Sequence, residues 1–141
     1  MQVFIVGSPL ETAMALDKKR LNRQIQEAKV ILDALNGAKA WSNHPCVLQY
    51  RGYEKWLKYY LRVLHNWHIG GVPHQFYDDV ANKTSPPFHT QEYFDQMKRR
   101  LYTKDPVYYA QWAHLGESED NWYWSPSEGK FIKYRNGKRI E

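Results

Sequence analysis

Apolar side chains at Leu21, Ile25, Ala28, Leu32 and Leu35 follow steps of four and three, the spacing that lines one face of a helix. The run from Leu16 to Leu35 therefore reads as an amphipathic helix, closed at Gly37 in a left-handed conformation. Upstream, Ser8-Pro9-Leu10-Glu11 carries a helix start: Ser8 can cap, Pro9 suits the first helical position, and Glu11 completes a capping box. Whether Asp17 divides this stretch into two helices is left open by the pattern. Residues 2–6 (QVFIV) are extended in character and short.

A second stripe, Tyr53, Leu57, Tyr60, Leu64 and Trp67, ends at Gly70-Gly71 and is expected to pack against the first. Pro45 starts a shorter helical stretch before it, with a break at Gly52. Residues 72–89 hold three prolines and predict irregular chain with one short helix near Phe76 to Val80. Thr90 is expected to cap a third helix to about Tyr102, with Phe94, Met97 and Leu101 inward. Asp105-Pro106 is expected to start a fourth through Trp112. Asn136-Gly137 between two short alternating runs is a hairpin signal. At Trp122-Tyr123-Trp124, alternation would turn at least one large ring to solvent. The prediction is a mainly α fold: a compact, single-domain helical bundle over residues 1–141, with a short N-terminal extended segment and a small C-terminal β-hairpin.

Composition narrows the partners. A length of 141 residues suits one core rather than two. The formal charge of +5 favours an anionic partner, and six Trp with eleven Tyr leave aromatic faces on which a base could stack. Cys46 is the only cysteine, which excludes an intrachain disulfide and a four-cysteine zinc site. The apolar start MQVFIVG is too short for a signal segment and no stretch approaches a membrane span, so a cytoplasmic protein with no membrane partner is expected.

Candidate chemistry centres on the first long helix. Arg20 and Glu27 fall roughly 100–120° to one side of the apolar stripe, with Arg23 somewhat further round. The plain reading is an Arg23–Glu27 ion pair four residues apart, worth about 0.3–0.5 kcal/mol. The alternative is an acid/base working where a polyanion binds. Basic residues form three clusters: Lys18, Lys19, Arg20 and Arg23; Lys98, Arg99, Arg100 and Lys104; Lys130, Lys133, Arg135, Lys138 and Arg139. They either converge to track a phosphate backbone or form three solvated faces. His65 and His68 lie three apart without a metal motif, and His44, His74, His89 and His114 are scattered, so no metal site is expected. Cys46 beside a helix start reads as a buried small residue rather than a reactive thiol.

In order and spacing, MQVF, LDKKRL, a glutamate six after that leucine, WSNHP, RRLYTKDPVYY and WYW resemble the bacterial and phage branch of the pyrimidine-dimer DNA glycosylase/endonuclease V family. The resemblance covers most of the chain outside residues 70–90. It implies a compact all-α monomer that cuts damaged double-stranded DNA without metal or cofactor. It also implies that the α-amine of Met1 is the nucleophile and Glu27 the acid/base. Gln2 is too large for efficient removal of Met1, so that amine is expected to be the terminus. A DNA-repair glycosylase with abasic-site lyase activity is implied, excising a damaged pyrimidine through a Schiff base. Arg20, Arg23, Arg99, Arg100 and Lys104 would grip DNA, with Gln2 and His44 at the site. Two departures from the best-known members, Gln2 and Gln26 in place of arginines, remove positive charge near the lesion and point to another modified base as the alternative target. A non-catalytic nucleic-acid-binding module on the same scaffold is the other alternative.

Overall fold

The computed structural model describes residues 1–70 and 85–140; the short helix expected at 76–80, and His74, lie outside them. Among the described residues the α-helices are α1 (Pro9–Ala15), α2 (Lys18–Leu35), α3 (Pro45–Tyr50), α4 (Glu54–His68) and α5 (Gln91–Lys104). A 3-10 helix (Ala110–Leu115) and strands β1 (Asn121–Ser125), β2 (Lys130–Arg135) and β3 (Lys138–Arg139) follow.

The expected capping box forms: Ser8 Oγ accepts from Glu11 N–H, and the Glu11 carboxylate accepts from Ser8 N–H, both at 3.1 Å. Asp17 does divide the first helical stretch. Leu16 and Asp17 are extended, and the Asp17 carboxylate caps α2 by accepting from Arg20 N–H. Gly37 (φ 109°) ends α2, and Gly52 (φ 92°) separates α3 from α4, positions where a Cβ would be strained. The α2 and α4 stripes pack together as expected, and α1 packs on α4 as well. Their buried faces include Leu21, Ile25, Ala28 and Leu32 against Leu57, Tyr60 and Leu64.

Under these helices run Val3, Phe4, Ile5 and Val6, all buried. This segment joins no sheet, so its backbone polar groups need other partners. Side chains supply them. Gln24 Oε1 accepts from Phe4 N–H at 2.9 Å, Gln24 Nε2 donates to Gln2 C=O at 2.9 Å, and Thr12 Oγ1 accepts from Val6 N–H at 3.0 Å. Tyr60 O–H donates to Phe4 C=O at 2.6 Å. The Gln24 amide thus imitates the neighbouring strand that the segment lacks.

Four expectations are corrected. On α5 the inward face is Tyr93, Gln96, Met97 and Leu101, with Phe94 only half-buried, because steps of four from Tyr93 define the seam. Asp105-Pro106 begins a turn rather than an α-helix: Asp105 Oδ1 accepts from Tyr108 N–H at 3.1 Å, and the chain tightens into the 3-10 helix. Tyr109, fully buried and hydrogen-bonded to the Asp17 carboxylate, anchors that turn to the start of α2. The hairpin at Asn136-Gly137 forms, both residues having positive φ. It belongs, however, to a three-stranded antiparallel sheet of order β1-β2-β3, with Tyr123 opposite Ile132. In β1, Tyr123 is buried, while Trp122 and Trp124 are half-covered by Phe131. Trp124 also stacks on Phe88, so neither ring projects freely to solvent.

Candidate active site

Four elements meet around a cleft of about 290 Å³. The N-terminus contributes Met1 and Gln2, α2 contributes Arg20, Arg23 and Glu27, α5 contributes Arg100 and Lys104, and β1 contributes Asn121. The first residue is fixed through its neighbours. Tyr123 O–H donates to Met1 C=O at 2.7 Å, Gln24 holds Gln2 C=O, and Gln2 N–H lies 3.4 Å from Glu27 Oε2. Backbone geometry puts the amine of one residue roughly 2.7–3.7 Å from the next nitrogen. The Met1 amine therefore lies within about 7 Å of the Glu27 carboxylate, and both residues line the same cleft.

Glu27 is oriented chiefly from the protein side. Its Oε2 accepts from Gln24 Nε2 at 3.0 Å, whereas Arg23 Nε stands 3.8 Å from Oε1. That last separation is too long for a hydrogen bond. Arg23 is 73% exposed, so the pair contributes little. The ion pair expected from the spacing is present, but it leaves the carboxylate available on the cleft side.

Cations surround this centre. Arg20 is held by Asp17 at 3.3 Å. Burial raises the Asp17 pKa, but hydrogen bonds from Tyr109 and Arg20 outweigh it and leave the group below its ordinary value. The Lys104 ammonium is pushed down, first by burial and then by the charges of Arg100, Arg20 and Arg23, with Glu27 opposing. Arg100 is lowered by burial. Two of the three basic clusters thus converge on the cleft. The third does not: Arg135 pairs with Asp120 at 2.7 Å, Arg139 with Glu128 at 3.1 Å, and Lys133 lies over the Trp122 ring.

Other predicted residues sit elsewhere. Arg99 Nε donates to Leu115 C=O at 3.0 Å, so its guanidinium supports the 3-10 helix and does not line the cleft. His44 caps α3, its Nδ1 accepting from Cys46 N–H at 3.1 Å. The ring is flanked by Trp41 and Tyr123, and its pKa is lowered by burial and by the N-terminal charge. It is not among the residues that line the cleft, but it lies against Tyr123, which holds Met1 C=O. Gln26 is exposed on α2. Cys46 is fully buried, its thiol pushed up to about 12 by burial. His89 is pushed down to about 3 by burial and its Nε2 lies 2.9 Å from Tyr50 Oη. Among the described residues no group of three or more His, Cys, Asp or Glu could hold a metal ion, and no helix is long and apolar enough to cross a membrane.

Sequence reasoning missed Gln24, Tyr123 and Asn121. Gln24 had a signal: it sits between Leu21 and Ala28 on the apolar face, where an amide must find partners. The other two had none that is local.

A family model described as pyrimidine dimer DNA glycosylase matches residues 1–69. That span holds Met1, Gln24, Glu27 and the WSNHP motif, while Arg100, Lys104 and Asn121 lie beyond it. No curated protein and no solved structure matches the chain.

Proposed function

We propose, on the premise that residues 1–69 belong to the pyrimidine dimer DNA glycosylase family, that this protein is a bifunctional DNA glycosylase and abasic-site lyase acting through its own N-terminal amine. The observation that carries the reading is the cleft shared by Met1 and Glu27, with Arg20, Arg23, Arg100 and Lys104 around it.

The reaction follows from that arrangement. The Met1 nitrogen bonds to C1′ of a damaged nucleotide as the glycosidic C–N bond breaks, and the base leaves with a proton. Loss of the amine proton and opening of the sugar ring give an imine. Removal of a C2′ proton then expels the 3′ phosphate by β-elimination. Glu27 moves protons at C1′ and the ring oxygen in this scheme. The four cations bind flanking phosphates and favour the displaced nucleotide. Double-stranded damaged DNA is the partner, and a cytoplasmic monomer working without cofactor or metal is the simplest form consistent with this chemistry.

Trapping with borohydride tests it. Untagged protein with abasic or ultraviolet-irradiated DNA is expected to give a covalent adduct through the reduced imine. An extension before Met1 should abolish the adduct, and Glu27→Gln should cut strand cleavage at least about a hundredfold. Salt-sensitive DNA binding with no adduct on abasic DNA would sink the proposal and favour a binding module.

A further inference from the structure

The peptide that joins Met1 to Gln2 is held at both edges. Tyr123 O–H donates to Met1 C=O at 2.7 Å, and Gln2 N–H lies 3.4 Å from Glu27 Oε2. A peptide unit is planar, so fixing those two groups also fixes the Met1 Cα. The amine keeps one torsion, about the Cα–C bond. Where the nucleophile points therefore depends on where the Tyr123 hydroxyl stands.

Tyr123 is 4% exposed, and other rings meet it from two elements. Tyr134 of β2 lies edge-on to it at 5.5 Å, and His44 lies edge-on at 5.6 Å. His44 is itself fixed by three contacts. Its Nδ1 accepts from Cys46 N–H at 3.1 Å, its backbone N–H donates to Trp41 C=O at 2.9 Å, and the Trp41 ring lies 5.8 Å away. Accepting at Nδ1 requires a neutral ring with its proton on Nε2. Burial, and then the charge of the Met1 amine, lower the His44 pKa, which puts ring and amine within electrostatic reach. Helix α3, which His44 caps, is tied to the strand that carries Tyr123: Gln49 Oε1 accepts from Trp124 N–H at 2.9 Å. Trp41 has φ 66°, a left-handed conformation that a residue with a large side chain adopts only where its surroundings impose it.

We propose that His44 is a positioning residue for the Met1 nucleophile: its ring braces Tyr123, whose hydroxyl sets the peptide that carries the amine. The proposal rests on the glycosylase reading above and adds a residue to that same site. A helix cap needs only the bond to Cys46 N–H, which Ser, Asp or Asn would serve as well. The aromatic ring is the part that reaches Tyr123.

Two substitutions separate ring from cap. His44→Asn keeps an acceptor for Cys46 N–H and removes the ring, while His44→Phe keeps a ring against Tyr123 and removes the acceptor. Untagged protein in saturating excess over abasic DNA is quenched with borohydride at successive times, which reads the rate of imine formation. His44→Asn is expected to melt near wild type yet form the imine at least about tenfold more slowly, as a misplaced nucleophile does. His44→Phe should melt lower and keep a rate within about threefold. Rates that follow the melting temperatures would reduce His44 to a cap and overturn the assignment. Fluorescence anisotropy should show His44→Asn binding abasic DNA within about twofold of wild type; a binding loss as large as the rate loss also overturns it.

Tyr123→Phe supplies a second arm that does not depend on how His44→Phe folds. Acting through the Tyr123 hydroxyl, His44→Asn should slow a Tyr123→Phe protein by no more than about twofold. Effects that multiply, with the full tenfold retained in the double variant, would sink the proposal. No adduct even from the wild-type protein strikes the glycosylase reading itself, and this assignment with it.

Discussion

Replacing Gln24 with leucine tests whether one buried amide both holds the N-terminal segment and sets the active-site carboxylate. Gln24 is 3% exposed and fully engaged. It accepts from Phe4 N–H at 2.9 Å, shares at 2.9 Å the single Tyr60 proton that Phe4 C=O takes at 2.6 Å, and donates to Gln2 C=O at 2.9 Å and Glu27 Oε2 at 3.0 Å. In Gln24→Leu, Phe4 N–H and Gln2 C=O stay buried with nothing to bond, while Tyr60 keeps Phe4 C=O. Each abandoned backbone group costs roughly 1–2 kcal/mol after allowance for the added apolar contact, so a loss of about 2–4 kcal/mol is expected. For a domain of this size, 1 kcal/mol corresponds to about 3 °C in Tm, giving a fall of roughly 6–12 °C. Thermal and urea unfolding read the stability, and borohydride adduct yield well below the variant's Tm reads the amine's position. Gln24→Glu is the companion. It keeps the acceptor for Phe4 N–H but sets a carboxylate against Glu27, so its deficit should shrink as pH falls toward 5 and one carboxyl takes a proton. A Gln24→Leu protein melting within about 2 °C of wild type, with undiminished adduct, would refute the stitching role.

Other expectations follow from the surroundings of single groups. The Cys46 thiol, buried and raised to about 12, should resist iodoacetamide at pH 8 in the native protein and react promptly in urea. His89 is neutral when folded, its pKa near 3 against an ordinary 6.5. Between those values the unfolded chain binds more protons, so stability must fall as pH drops from 7 to 5. The urea midpoint should follow, with a flatter profile in His89→Gln. Lys104→Met and Arg23→Gln should each lower the slope of log K against log salt for DNA binding by about 0.9. Arg135→Gln, which removes a guanidinium already paired with Asp120, should leave the slope unchanged.

What was legible in the chain is what neighbours three or four residues apart decide. The Leu21–Leu32 stripe, the Ser8–Glu11 capping box, the breaks at Gly37 and Gly52, and the Asn136-Gly137 turn all form where the pattern puts them. The Arg23–Glu27 pair was also visible, but its weakness was not, because spacing does not reveal that Arg23 is exposed and that Oε2 is claimed from the other side. Arg99 and Arg100 are adjacent and chemically alike in the sequence. Yet one turns to Leu115 and the other to the cleft, a choice made by the helix rotation that buries Tyr93, Met97 and Leu101.

Helical periodicity, capping and turn chemistry are properties of short stretches, and for those the order of amino acids sufficed to place the helices and the residues at their edges. Tertiary packing alone decided that β1 would join β2, that Tyr109 would reach Asp17, and that Tyr123 would clamp Met1. The Tyr109 and Tyr123 contacts span 92 and 122 residues along the chain, the β1–β2 pairs only 5 to 13. Their partners are selected by which buried polar group still lacks one once the core has closed, and no local pattern contains that information.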